Sequence, residues 1–189
     1  SPAGMTPPGS ADAAEWTLGE AVRTRTFWLL TGVMVLSLFT IPAVYVHLPQ
    51  YARDLQLQVP RAHFVMLIGL WALLGNLLLG WLADRWGRRW VFGLSLTLGA
   101  LALGGMTGAR GVPLLTAASA CFGVYYGTFA SLFPAVMSDS FGRRSVGVLT
   151  GFSFALGSVP SALGPVAMGW VADETGRYML AFLGGTVVN

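Results

Sequence analysis

A nine-residue phrase occurs twice in this chain, and its two positions restrict the fold more than any other feature. The first copy occupies residues 80–88 (GWLADRWGR) and the second residues 169–177 (GWVADETGR), 89 positions later, with six of nine residues identical. Each copy ends one apolar segment and precedes the next. Three apolar segments lie between the copies, and an odd number of crossings places the copies on opposite faces of a bilayer. The pattern predicts a three-helix unit repeated upside down, a plan common among secondary transporters.

Composition indicates an integral membrane protein. The chain is 54% hydrophobic and 10% charged, whereas an ordinary soluble domain is roughly 25% charged. The charged residues lie between the apolar segments, and a bilayer accepts only helices or closed barrels. Alternating strands of ~10 residues, which a barrel requires, are absent from the sequence, so an all-α fold is predicted. The arginines are scattered in loop clusters, so we expect no nucleic-acid partner.

The sequence divides into a linker, a short helix and a bundle. Residues 1–16 are rich in Pro, Gly, Ala and Ser and are predicted to form a flexible linker. Thr17 and Glu20 have the spacing of a capping box, so an interfacial cytoplasmic helix, Leu18–Thr24, is predicted within residues 17–26. The bundle, residues 27–189, contains six apolar segments: residues 27–48, 64–83, 90–107, 112–137, 146–171 and 178–189.

The sixth apolar segment is short. Its residues 178–189 would form about 18 Å of helix at ~1.5 Å per residue, whereas the hydrocarbon core is roughly 30 Å thick. We therefore expect that this last span is truncated and that the chain is a fragment of a larger protein.

The arginine distribution predicts the orientation in the membrane. Seven arginines precede the first span or follow the second and fourth spans: Arg23, Arg25, Arg85, Arg88, Arg89, Arg143 and Arg144. The opposite loops hold four: Arg53, Arg61, Arg110 and Arg177. By the positive-inside rule, the side with seven arginines is predicted to be cytoplasmic.

Three loop motifs resemble those of the major facilitator superfamily. Residues 80–89 (GWLADRWGRR) resemble the signature between the second and third helices of each half. Residues 139–144 (DSFGRR) resemble the loop between the fourth and fifth helices, and residues 173–178 (DETGRY) resemble the outer loop before the last helix. With the repeat, the resemblance covers about residues 17–189. It implies one half of a twelve-helix transporter, a six-helix bundle of two inverted three-helix repeats that works by alternating access with a missing N-terminal half.

The signature loop implies a conformational latch. Asp84 is a carboxylate at a helix end, one turn before Arg88, and can face the positive N-terminus of another helix. Gly80 would let a neighbouring helix approach closely. The residues assigned to the latch and signature loops are Gly80, Asp84, Arg85, Gly87, Arg88, Arg89, Asp139, Arg143 and Arg144. The alternative is a topology determinant that only holds positive charge inside.

Two further stretches resemble the monocarboxylate and oxalate/formate branch of the superfamily. They are residues 20–28 (EAVRTRTFW) and residues 46–51 (VHLPQY). This resemblance implies transport of small organic anions such as monocarboxylates. The branch often carries a charged residue inside the next helix, where this chain has only the neutral Asn76.

Polar residues near the middle of the spans are candidates for a solute path. The candidates are Tyr45, His47, Asn76, Tyr125, Tyr126 and Ser131. Asn76 either faces solute or makes an interhelical hydrogen bond, because a carboxamide in hydrocarbon needs partners. His47 either binds solute, takes a proton, or lies wet at the surface. Tyr125 and Tyr126 are adjacent, so at most one of them lines a path.

Enzymatic function is not indicated. The sequence lacks the hydrolase, metalloprotease and phosphate-loop motifs, so no catalytic residue, cofactor or metal site is predicted. The expected partners are the lipid bilayer, the N-terminal half and a small solute, with proton coupling left open. The expected location is a cell (inner) membrane, crossed several times. The alternative function is a membrane receptor or scaffold that has this fold and does not transport.

Overall fold

The computed structural model describes residues 16–60 and 62–175, and these residues form helices joined by short turns. The helices are α1 (Leu18–Ala21), α2 (Arg25–Asp54), α3 (His63–Trp86), α4 (Arg88–Thr107), α5 (Val112–Phe141) and α6 (Val146–Thr175). Helices α2 to α6 are long and apolar enough to cross a membrane. They correspond to the first five predicted spans. The sixth apolar segment, residues 178–189, and residues 1–15 of the predicted linker lie outside the described residues.

Helix α1 begins as predicted and ends earlier. Thr17 and Glu20 form both hydrogen bonds of the capping box, and the bonds from Thr17 lower the pKa of the exposed Glu20 carboxyl. The predicted helix to Thr24 is wrong, because Thr24 adopts an extended conformation and its hydroxyl accepts the amide of Phe27 at 3.2 Å. Thr24 is thereby the N-cap of α2, and α1 is a single turn.

The spanning helices extend beyond the apolar segments at several ends. Helix α2 continues six residues past Leu48 to Asp54, and α5 and α6 each continue four residues past the predicted boundary. Polar residues can continue a helix at these ends. The bilayer disfavours such residues only where they would lie within its hydrocarbon core. Apolar composition therefore locates the membrane core better than it locates helix ends.

The described helices pack as an inverted repeat. The second helix of the first unit, α3, packs along α5, and the second helix of the second unit, α6, packs along α2. A glycine lies at each contact: Gly75 faces Val124, and Gly164 faces Phe39. The two glycines are separated by 89 positions, the same offset as the repeated phrase. The duplication therefore extends from the loops to the packing of the helices.

The spacing of Gly123 and Gly127 in α5 allows a close contact with α3. A Cβ atom at Gly123 would lie 2.5 Å from the carbonyl oxygen of Ile68, and one at Gly127 would overlap the carbonyl of Ala72. Small residues four positions apart allow the backbones of two membrane helices to approach this closely. Helices α3 and α5 therefore form a tight pair.

One end of the bundle collects three arginine-bearing segments, which we call the arginine-rich end. It consists of the start of α2, the α3–α4 turn and the α5–α6 turn. The Ser145 hydroxyl donates a hydrogen bond to the carbonyl of Trp16, and the rings of Trp16 and Phe141 meet edge to face at 5.8 Å. Phe27 packs on Phe141 at 6.2 Å. These contacts attach the segment before α1 to the turn that leads into α6.

We expect the arginine-rich end to be cytoplasmic. Cysteines introduced one at a time at Arg88 and Arg143 should resist a membrane-impermeant thiol reagent in intact cells, whereas a cysteine at Arg110 should react. The Cys121→Ser background removes the one native thiol. Labelling of position 88 together with position 110 from the outside would contradict the predicted orientation.

Candidate functional site

The two turns at the arginine-rich end repeat one local structure. The sequences Asp-x-x-Gly-Arg-Arg occupy residues 84–89 and 139–144. Gly87 and Gly142 have φ angles of +92° and +90°, and their amides donate to Ala83 and Ser138 as helix caps. A side chain would be strained in this conformation, so glycine is favoured at the end of both helices. After Gly87 the next helix begins at once with Arg88, whereas a short turn separates Gly142 from the start of α6 at Val146.

An ion pair joins these two turns. Arg88 Nη1 lies 3.0 Å from Asp139 Oδ1, and Arg89 Nη2 donates a longer hydrogen bond to the Ser140 hydroxyl at 3.4 Å. Both members of the ion pair are 40% exposed. Solvent screens such a pair, so its contribution is at most about 1 kcal/mol. The contact can therefore form and break during a conformational change.

Asp84, the central residue of the predicted latch, makes no ion pair within the described part of the chain. Its side chain is exposed, and its neighbour Arg85 stacks on the Trp81 ring at 4.6 Å. Arg143 and Arg144 are also exposed. Among the described residues, Asp139 rather than Asp84 is the carboxylate that forms an ion pair with an arginine.

Gly80 and its counterpart in the repeat have different surroundings. No described atom lies within 4 Å of a Cβ built at Gly80, whereas a Cβ at Gly169 would lie 3.2 Å from the His47 ring. The predicted close approach at Gly80 is therefore not made by any helix in the described residues.

Exchanging the charges of the observed ion pair tests whether it stabilises this conformation. We expect Arg88→Asp and Asp139→Arg each to lower the melting temperature slightly, and the double exchange to restore it, because an exposed pair contributes roughly 0.2–1 kcal/mol. A double-mutant cycle on the purified protein, followed by thermal unfolding at low salt, measures this coupling. A coupling indistinguishable from zero would mean that the two turns are held by packing alone.

The candidate path residues do not share one environment, and Tyr125 lies in the core. Its ring is fully buried, and its hydroxyl donates to Ser37 at 2.7 Å. A Cβ at Gly99 would meet the ring at 2.7 Å. Tyr125 thus fills the space among α2, α4 and α5 and does not line a path in this conformation.

Tyr126 points to a different neighbour. Its ring meets Tyr45 edge to face at 5.8 Å, and both residues are half-buried. Tyr45 from α2 and Tyr126 from α5 thus form an aromatic pair, and each hydroxyl can donate or accept a hydrogen bond. They are the candidates that combine partial exposure with a polar tip.

His47 connects two helices. Its Nε2 lies 2.8 Å from the carbonyl oxygen of Pro165, so that nitrogen donates a hydrogen bond to α6. The ring is half-buried. The expectation of a wet surface histidine misses this contact, because the sequence did not show that α6 crosses α2 at Gly169 and leaves room for the ring.

Asn76 and Ser131 lie on exposed faces of α3 and α5. The Asn76 carboxamide makes no hydrogen bond within residues 16–60 and 62–175. The Ser131 hydroxyl donates to carbonyls of its own helix, those of Gly127 and Thr128. Asn76 therefore has an exposed polar group without a hydrogen-bond partner among the described residues.

Sequence reasoning missed three buried hydroxyl contacts between helices. Thr31 and Ser153 are 2.9 Å apart, Ser37 accepts the bond from Tyr125, and the Tyr51 hydroxyl reaches the carbonyls of Met106 and Ala109 at 2.9 and 3.2 Å. Serine and threonine also bond to their own helix, so their presence alone does not reveal such pairs. In the described residues, no group of three or more His, Cys, Asp or Glu could hold a metal ion.

The chain is similar to known transporters over most of its length. A profile of the Major Facilitator Superfamily matches residues 27–188. Monocarboxylate transporter 12 of Rattus norvegicus is 30% identical over 168 residues, which cover 83% of this chain and 35% of that protein. Monocarboxylate transporter 11 of Homo sapiens is 33% identical over 194 residues, which cover 94% of this chain and 39% of that protein. Monocarboxylate transporter 9 of Pongo abelii is 30% identical over 120 residues.

These matches agree with the loop motifs, the five long apolar helices and the inverted packing. The chain spans about a third of the length of the first two relatives. The chain therefore belongs to the Major Facilitator Superfamily of membrane transporters, in the branch that includes proteins named monocarboxylate transporters.

Proposed function

We propose that this chain is the C-terminal half of a secondary transporter that moves small organic anions, such as monocarboxylates, by alternating access. The observation that carries the proposal is the inverted packing of two units, α3 on α5 and α6 on α2. This packing leaves large apolar side chains exposed on both α3 and α6, among them Leu73, Leu77 and Val166. A facing six-helix bundle and lipid would cover them.

The latch mechanism rests on the turns at the arginine-rich end. When that end closes against the N-terminal half, the exposed Asp84 meets a positive helix terminus of that half. When it opens, this contact is lost, while the close packing of α3 on α5 keeps the two turns of this half together. This half then moves as one rigid body between the closed and the open state, and the contact made by Asp84 stabilises the closed state.

This half supplies the path with neutral groups. The six apolar segments contain no Asp, Glu, Lys or Arg, and Tyr45, Tyr126 and Asn76 offer hydrogen-bonding groups. For an anionic solute, the counter-charge then comes from the N-terminal half, since an unpaired anion in hydrocarbon is costly. His47, whose Nε2 donates to the carbonyl of Pro165, is the side chain of this half that we assign to proton coupling.

Uptake into liposomes tests the proposal. The full-length protein is reconstituted and presented with labelled short-chain monocarboxylates, and saturable uptake is expected. Asp84→Asn should lower the rate about 5- to 150-fold, the range of a coupling of roughly 1–3 kcal/mol, with normal membrane insertion. Asp173→Asn, the equivalent change in the second copy of the phrase, is the matched control and should transport normally.

Two results would count against the proposal. Equal rates for Asp84→Asn and the unmodified protein would leave Asp84 as a topology determinant. Saturable binding of an organic anion without any uptake would favour the receptor or scaffold alternative.

A further inference from the structure

A groove lies where the chain passes from α1 to α2. Its volume is about 420 Å³, and it is lined by Val22, Arg23, Thr24, Arg25, Trp28 and Leu29. The Trp28 indole donates to the carbonyl of Val22 at 2.7 Å, and the Thr24 hydroxyl donates to the carbonyl of Ala21 at 2.7 Å. These bonds hold the turn in place, so the groove is a built feature of the junction.

The polar end of this groove is strongly positive. Arg23 and Arg25 are both exposed, and neither forms an ion pair within the described residues. In α2, a helix of 30 residues, the Thr24 hydroxyl caps the amide of Phe27. The remaining first amides have no acceptor within the helix and add a partial positive charge at the same place. Guanidinium groups and free helix amides are the donors that proteins use for phosphate oxygens.

The other end of the groove is apolar and lies along the start of a spanning helix. Trp28 is 53% exposed and Leu29 71% exposed. The groove therefore has a cationic end at the level of the headgroups and an apolar end toward the hydrocarbon core. A phospholipid has the same two-part character, whereas a free phosphate matches only the cationic end.

We propose that this groove binds an anionic phospholipid, with the headgroup phosphate between Arg23 and Arg25 and an acyl chain along Trp28 and Leu29. The lipid neutralises the two arginines and covers the exposed apolar side chains at the entry of α2. Trp16 and Ser145 attach the same junction to the α5–α6 turn, so the lipid stabilises the base of both helices. This inference does not depend on transport or on the identity of the solute.

Lipid binding by the purified full-length protein tests the inference. Delipidated protein is titrated with phosphatidylglycerol or phosphatidylcholine, and bound lipid is counted by native mass spectrometry. We expect one tight phosphatidylglycerol, and its affinity should fall about thirtyfold in Arg23→Gln/Arg25→Gln, since each basic residue near an anionic surface contributes about fivefold. The matched control, Arg53→Gln/Arg110→Gln, removes two exposed arginines at the other end and should bind normally.

A second measurement locates the lipid. Brominated phosphatidylglycerol should quench tryptophan fluorescence less in Trp28→Phe than in the unmodified protein, with both proteins folded at the temperature of the measurement. Equal affinity in the Arg23/Arg25 variant, or an equal loss in the control variant, would overturn the proposal. Displacement of the lipid by millimolar inorganic phosphate would also overturn it, because it would identify a free-anion site.

Discussion

Replacing Gly127 or Gly164 with leucine should destabilise the bundle by about 3 kcal/mol or more, at the upper end of the range for overpacked cores. At both positions a Cβ atom would overlap a backbone carbonyl of the facing helix, that of Ala72 or Phe39. A flexible side chain could move aside, whereas a helix backbone can move only by separating the pair. Each substitution therefore forces apart one of the two contacts that define the inverted repeat.

Gly93→Leu is the matched control, because Gly93 also lies within a helix and has no atom within 4 Å of its Cβ position. Thermal unfolding and size-exclusion profiles of the purified proteins distinguish the three variants. Gly93→Leu should resemble the unmodified protein, and the other two should aggregate or melt at lower temperature. A normal melting temperature for Gly127→Leu would mean that α3 and α5 lie farther apart than described.

Tyr125→Ala should cost about 3–5 kcal/mol, the range for truncating a buried aromatic side chain. The ring fills the space beside Gly99, and its removal would leave a cavity and an unpaired Ser37 hydroxyl. Tyr125→Phe keeps the ring and removes only the hydrogen bond, so it should cost about 0.6–1.7 kcal/mol.

Tyr126→Ala provides the comparison for Tyr125, because the two residues are adjacent and differ in burial. We expect a small loss of stability at Tyr126 and a larger effect on solute affinity, whereas Tyr125→Ala should affect stability first. Equilibrium unfolding and solute binding, measured on the same preparations, separate the two effects. Similar stability losses at both positions would contradict the assignment of Tyr125 alone to the core.

The repeated phrase and the apolar segments were sufficient to predict the all-α membrane fold and the first five spans, and the resemblance of the loop motifs indicated the superfamily. Each crossing of the membrane requires one long apolar segment. The spans can therefore be recognised from contiguous stretches of sequence, without knowledge of the tertiary contacts. The capping box of α1 was predictable for the same reason, since Thr17 and Glu20 act within one turn. The end of α1 was not predicted, because Thr24 terminates it by starting a second helix.

Partners at long range in the chain could be found only after the helices were packed. Asp84 and Asp139 carry the same motif, yet Arg88 bonds to Asp139, 51 positions away. Tyr125 and Tyr126 have the same side chain, but neighbouring residues on a helix point about 100° apart. Tyr125 therefore lies in the core, whereas Tyr126 is half-buried and remains a candidate path residue. His47 likewise bonds to α6, 118 positions away. Hydropathy and local motifs record which segments enter the membrane and where helices begin. Which polar groups meet depends on how each helix is rotated against its neighbours, and the close glycine contacts determine that rotation.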